Sequence, residues 1–219
     1  MNRWLDIDVD KTYTVAEGLT AHVLVADVSP LTDERTYADA AATLSQFRQD
    51  KARQFKHPAQ QRLSVGAGLL LDMLLEELGL REHDMLYSLN SHDKPAFSNA
   101  TDVQFNISHS SSKVAAAMMQ ASAEVASLGI DIQRTTKTRL GVAHKVFTPE
   151  DYLLLSQQPE GEARDALFTH LWTEYEAHGK AQGIGLTWPA QAREYTPHER
   201  MYAIDIHHYH ATLCVIINL

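Results

Sequence analysis

The sequence predicts an α+β protein of two halves with a similar order of elements, and three observations carry that prediction. Helical periods over 33–78 lead into short strand patterns over 103–133, and helical periods over 138–181 lead into a strand pair over 202–217. The strand cluster alternates and is joined by short turns, as in an antiparallel meander with one packed face. At 219 residues, 44% hydrophobic and 21% charged, the chain suffices for one large domain or two of about 100 residues with a real core.

Taken in order, 1–18 shows no convincing period and is expected to be loop or a short edge segment. Alternation over 20–28 (TAHVLVADV) gives a strand, broken by Ser29-Pro30. Apolar spacing over 33–55 (Tyr37, Ala41, Leu44, Phe47) gives one or two helices. Pro58 suits the first turn of a helix running to Leu78, with Leu69, Leu70, Met73, Leu74 and Leu78 as its stripe and Gly79 as its stop. Gly66 and Gly68 inside it imply close packing or a ligand near the backbone. A strand over 84–89, a turn over 90–95 and strands over 103–108, 113–120 and 124–133 follow. Then come a helix over 138–145, a helix opened by Thr148-Pro149-Glu150-Asp151, a long helix over 162–181, a loop over 187–199, and a hairpin of 202–207 with 211–217.

Composition excludes several classes. No apolar run approaches the ~20 residues of a membrane span. The N-terminal MNRWLD has no signal-peptide core, and a single cysteine, Cys214, fits a reducing, cytoplasmic location. The net charge of −9 argues against general nucleic-acid binding. Between 48 and 62, however, Arg48, Lys51, Arg53, Lys56, His57 and Arg62 face one acid, Asp50. Such a patch suits a phosphate-bearing ligand, and equally a solvated helix face. His207, His208 and His210 lack an acidic or cysteine partner at ligand spacing and read as surface residues.

Three stretches concentrate chemistry. In FNISHS (105–110) a strand runs into a serine-rich turn, where Ser108, Ser110 to Ser112 and backbone N–H groups suit phosphate oxygens and a protonated His109 would add charge. In LGIDIQ (128–133), Asp131 and Gln133 share one strand face about 7 Å apart, and Gly129 admits a close neighbour. An acid in so apolar a strand is costly unless paired, hydrogen-bonded or metal-bound. In WTEYEAHGKAQGIGL (172–186), Trp172, Glu176 and Lys180 fall at i, i+4 and i+8 on one helix face. No hydrolase nucleophile elbow, P-loop or dinucleotide fingerprint is present.

In this order, with Lys94-Pro95 ahead of them and the basic stretch around 51–62, the three motifs resemble the 4′-phosphopantetheinyl transferases of the larger, Sfp-like class. The resemblance covers roughly 48–186 and implies a pseudo-two-fold pair of α+β halves, each with a small antiparallel sheet packed on helices: 1–121 and 122–219, together one functional unit. It implies transfer of 4′-phosphopantetheine from coenzyme A to a serine of an apo acyl or peptidyl carrier protein, with Mg²⁺ as cofactor and adenosine 3′,5′-bisphosphate as product. By the same resemblance Asp131 and Glu176, with Gln133, hold the metal. Glu176 helps to deprotonate the serine and Lys180 stabilises the leaving group. Lys94, Ser108 and His109 meet the nucleotide, Arg48, Lys51 and Arg62 meet its 3′-phosphate, and Trp172 anchors the helix. A monomer is expected, with an apolar or locally basic surface for the carrier protein.

Two positions depart from the family pattern. Gln133 stands where a second acid is usual, which predicts weaker metal binding. Tyr175 stands where lysine usually precedes the glutamate. Together they define an alternative, a relative that binds coenzyme A or carrier protein without turnover; the retained Asp131, Glu176 and Lys180 favour the enzyme.

Overall fold

The structure is a computed structural model that describes residues 4–185 and 197–218. Strands β1 (Asp6–Ala16) and β2 (Leu19–Asp27) form an antiparallel hairpin. The loop or short edge segment expected over 1–18 is thus largely a long edge strand. Its period was obscured because only Tyr13 and Val15 of β1 are buried, so backbone pairing at a sheet edge, not burial, holds it. Helices α1 (Glu34–Ala41), α2 (Gln46–Arg53) and α3 (Pro58–Glu76) follow. Asp33 caps α1 through Thr36 N–H and Ser45 caps α2 through Arg48 N–H. A Cβ on Gly66 would lie 2.5 Å from Val28 Cγ1, and one on Gly68 would lie 2.8 Å from Leu44 Cδ1. Close packing, not a ligand, therefore explains both glycines.

The strand expected over 84–89 shortens to β3 (Tyr87–Leu89), because Glu82–Asp84 turn as a 3₁₀ helix; β3 pairs only with β4 (Pro95–Phe97). Strands β5 (Val103–Ser110) and β6 (Lys113–Gln120) pair antiparallel. Here the expected meander ends. Strand β7 (Ala126–Arg134) leaves that sheet and pairs with β9 (Tyr209–Ile217), which also pairs with β8 (Glu199–Ile206). The sheets are β1-β2-β6-β5 and β7-β9-β8. Between β7 and β8 lie α4 (Leu140–Val146), α5 (Pro149–Ser156, capped by Thr148) and α6 (Glu162–Gln182). Of the loop expected over 187–199 only its last three residues are described: 197 and 198 turn and Glu199 opens β8. Leu186, which closes the third motif, lies outside the described residues.

The layers follow from alternation. One face of β2 and β6 (Leu24, Ala26, Val114, Ala116) packs on α3. The other (Val23, Val25, Ala115, Ala117) packs on Leu128, Ile130, Leu213 and Val215 of the second sheet. The outer face of that sheet meets α6. A Cβ on Gly129 would fall inside the α6 backbone at Ala177 O and Ala181 N, so this glycine lets β7 and α6 touch. Among the described residues no helix is long and apolar enough to cross a membrane.

Candidate active site

Beside the apolar pairs of β6, strand β5 places polar side chains on the face turned to the second sheet. Asn106 Oδ1 accepts the Ile130 N–H (2.9 Å), Ser108 Oγ the Ile132 N–H (3.4 Å) and Ser110 Oγ the Arg134 N–H (3.0 Å). The partners advance together by two residues, so β5 and β7 run parallel across a seam sewn by side chains rather than by a backbone ladder. This seam aligns FNISHS with GIDIQ. It also occupies Ser110, while Ser112 is bonded to Asp27, so only part of the serine turn can serve a ligand.

Against the seam lies an open cavity of about 420 Å³. Arg48, Lys51, Ser108, His109, Asp131, Gln133, Glu176 and Lys180 all line it, as do Trp172 and Asn106. Lys94 borders an adjoining pocket that shares Pro95, Asn106 and Lys180 with it. Its Nζ donates to Leu128 O (3.0 Å) and Ala181 O (3.4 Å), tying the β3–β4 turn to β7 and α6. Burial pulls the Lys94 ammonium down to about 8. Arg62 is not brought to this cavity; it lines a separate depression with Glu34, Tyr37 and Gln61.

Asp131, buried on β7, accepts on Oδ1 from Lys180 Nζ (2.6 Å) and Ser108 Oγ (2.8 Å). Lys180 Nζ also lies 3.0 Å from Ser108 Oγ and donates to Ile130 O (3.2 Å). Glu176, one turn before Lys180, makes no hydrogen bond among the described residues. Burial, then the Asp131 carboxylate, raises its pKa, against the pull of Lys180. Two facing carboxylates beside the amide of Gln133 form a donor set that a cation would relieve. Among the described residues no group of three His, Cys, Asp or Glu is placed to hold a metal.

Desolvation in the cavity wall, then the Lys180 cation, holds the His109 imidazole below its usual value.

The basic stretch divides. Arg53 turns to solvent and pairs with Asp50 (2.7 Å). Arg48 is only 1% exposed, yet it lines the cavity. Its Nε donates to Tyr87 Oη (3.2 Å) and lies 3.7 Å from Glu82 Oε1. Its Nη2 has no partner among the described residues. Glu82, fully buried, also accepts from Ser45 N–H (2.6 Å), Ser45 Oγ (2.8 Å) and Tyr87 Oη (2.5 Å). Sequence reasoning missed Glu82 and Tyr87 because nothing local marks them as the supports of a cation 34 and 39 residues away. Lys51 is held below the usual lysine range by burial, then by Arg48.

Tyr175 turns away from the Asp131 and Glu176 carboxylates. Its hydroxyl accepts from Thr148 N–H (2.7 Å), donates to Asp151 Oδ2 (2.7 Å), and its ring packs on Phe147 (5.0 Å). It pins α6 to the start of α5. Trp172 bridges, lining the cavity while packing against Phe168 and the α4–α5 cluster.

Known proteins resemble this chain in sequence. The family model of the 4′-phosphopantetheinyl transferase superfamily matches residues 127–214. The chain is 29% identical over 171 residues (78% of its length, 73% of the relative's) to 4′-phosphopantetheinyl transferase ffp of Bacillus subtilis. It is 30% identical to 4′-phosphopantetheinyl transferase Sfp of Bacillus subtilis (67% of this chain, 63% of the relative). Against 4′-phosphopantetheinyl transferase HetI of Nostoc sp. the identity is also 30% (70% of this chain, 65% of the relative). The matches therefore span 63% to 73% of these relatives' lengths. With the motifs assembled around one cavity and these relatives matched over most of its length, the chain is similar to the 4′-phosphopantetheinyl transferase superfamily.

Proposed function

We propose that the protein transfers the 4′-phosphopantetheine arm of coenzyme A to a serine of an apo acyl or peptidyl carrier protein, with Mg²⁺ as cofactor. One observation carries this reading: Asp131, Glu176 and Lys180 converge on a cavity that Arg48 and Lys51 also line. The reading treats 1–121 and 122–219 as pseudo-two-fold halves of one unit, because the cavity takes residues from both.

In the reaction the serine Oγ attacks the phosphorus that bears pantetheine, and its proton passes to Glu176 directly or through water. The bond from that phosphorus to the bridging oxygen breaks, and its electron pair leaves with adenosine 3′,5′-bisphosphate. Lys180 stabilises the charge that collects there. Arg48 and Lys51 hold the 3′-phosphate, while Lys94, Ser108 and His109 border the nucleotide end. Arg62, remote from the cavity, has no part in this reading.

The donor set suits Mg²⁺, which takes one or two carboxylates and completes its shell with phosphate oxygens and water. Asp131 has Oδ2 outside its pair with Lys180, Glu176 is unbonded among the described residues, and Gln133 adds a neutral oxygen. When bound, the cation supplies neutralisation of the pyrophosphate.

The test is release of adenosine 3′,5′-bisphosphate from coenzyme A. It should require both an apo carrier protein and Mg²⁺, and should stop with a chelator. Thermal stabilisation by coenzyme A that ignores Mg²⁺, with no release on any of several apo carriers, would instead support the non-catalytic binder suggested by Gln133.

A further inference from the structure

Arg48 lines the cavity although it is only 1% exposed, so its guanidinium is built into the protein rather than waving in solvent. Tyr87 holds it in two ways. The hydroxyl accepts from Arg48 Nε (3.2 Å), and Arg48 Cζ lies over the Tyr87 ring, 5.1 Å from its centroid. The same hydroxyl reaches Glu82 Oε1 (2.5 Å). Chemistry fixes the direction of both bonds. A guanidinium only donates and a carboxylate only accepts, so the single phenolic proton goes to Glu82 and an oxygen lone pair to Arg48. Burial raises the Tyr87 pKa above the usual phenol value, which keeps that proton in place.

This relay is itself anchored. Glu82 takes the Ser45 N–H (2.6 Å) and Ser45 Oγ (2.8 Å) at the start of α2, and its own N–H donates to Asp72 Oδ1 (2.9 Å) on α3. The Tyr87 ring stacks on Phe47 (4.3 Å) and meets Phe97 edge-on (5.2 Å). Neither Glu82 nor Tyr87 is among the residues that line the cavity. Arg48 Nη2, by contrast, is buried with no partner among the described residues. A guanidinium held at Nε and over one ring face has a fixed plane, and its remaining N–H groups suit the paired oxygens of a phosphate.

We propose that Tyr87 and Glu82 are positioning residues for coenzyme A: without touching it, they fix the plane of Arg48, so that the 3′-phosphate meets a guanidinium already in place. The inference rests on the transferase reading above, in which Arg48 meets that phosphate, and adds the device that aims it. Preorganisation is the gain, since a free arginine would lose rotamer freedom on binding and a buried one without its carboxylate would be an uncompensated charge.

The test reads Tyr87→Phe and Glu82→Gln against coenzyme A and 3′-dephospho-coenzyme A. The phenylalanine keeps the ring in its stack and removes only the relay. Its KM and Kd for coenzyme A should rise about tenfold with kcat held within about twofold, while the Kd for 3′-dephospho-coenzyme A stays within about twofold of wild type. Glu82→Gln should weaken coenzyme A with the same selectivity, because an amide can donate to the phenol oxygen and turn its proton toward Arg48. Unchanged coenzyme A affinity in Tyr87→Phe, or an equal loss for both compounds, would overturn the proposal. Tighter coenzyme A binding by Glu82→Gln would make the carboxylate a competitor of the phosphate and overturn it too. Calorimetric binding needs no turnover, so a selective loss there sustains the positioning role even if no transfer occurs. Wild type that binds the two compounds equally well contradicts it even if transfer does occur. Melting temperatures confirm that the variants fold, and Tyr87→Phe carries the test alone if Glu82→Gln does not.

Discussion

At the scale of single residues, the proposed site is held away from its own electrostatic optimum. Glu176 is a buried carboxylate beside a second carboxylate, and burial first, then Asp131, raises its pKa. An acid with a raised native pKa contributes stability at low pH and loses it as pH rises through that value. Glu176→Gln should therefore melt higher than wild type, with the gap larger at about pH 8 than at about pH 5, while transfer falls by orders of magnitude. Thermal melts and product release measure the two effects, and a variant that melts lower at both pH values would contradict the assignment of strain. In wild type the transfer rate should fall on the acid side, as Glu176 takes up its proton. Gln133 gives the complementary case. One unit charge at about 4 Å is worth up to about 4 kcal/mol at an effective dielectric of ~20, an upper guide for a wet site. Gln133→Glu should lower the Mg²⁺ concentration for half-maximal rate about tenfold or more, equivalent to ~1.4 kcal/mol; a Mg²⁺ titration checks it. Tyr175, the other departure from the family pattern, needs no catalytic compensation because its hydroxyl is spent on Thr148 and Asp151.

At the scale of elements, Gly129 sets how closely β7 lies on α6, and that contact sets Asp131 2.6 Å from Lys180. Gly129→Ala should force the strand away from helical backbone that cannot yield, at a cost of about 3 kcal/mol, and should depress transfer more than coenzyme A binding. Chemical denaturation and steady-state kinetics measure this. The helices were legible because caps and apolar spacing are local: Thr148-Pro149 and the 162–181 period mark α5 and α6 to within a residue or so. The parting of β6 and β7 was not legible. Consecutive strands commonly pair, and the seam that replaces a ladder uses Asn106, Ser108 and Ser110, polar residues that in sequence look like a ligand-binding turn. The full length of edge strand β1, expected only as loop or a short edge segment, was hidden for the converse reason, since it hardly contributes to the core.

At the scale of the whole molecule, the cavity lies where α2 and α3, β5, β7 and α6 meet, so its chemistry comes from segments more than 100 residues apart. The helical spacing of Glu176 and Lys180 and the strand spacing of Asp131 and Gln133 were readable because one period fixes each pair. Which basic residue of 48–62 reaches the cavity was not, because it depends on the turn between α2 and α3. That turn sends Arg48 and Lys51 inward and Arg62 to another face. The central claim concerns the assembled site: that it moves phosphopantetheine onto a carrier serine. Intact-mass spectrometry of an apo carrier protein incubated with the enzyme, coenzyme A and Mg²⁺ tests it most directly. The account predicts a single phosphopantetheine added to wild-type carrier, none when the acceptor serine is alanine, and none with the Glu176→Ala enzyme. No added mass on any of several apo carriers, from enzyme that binds coenzyme A, would contradict it.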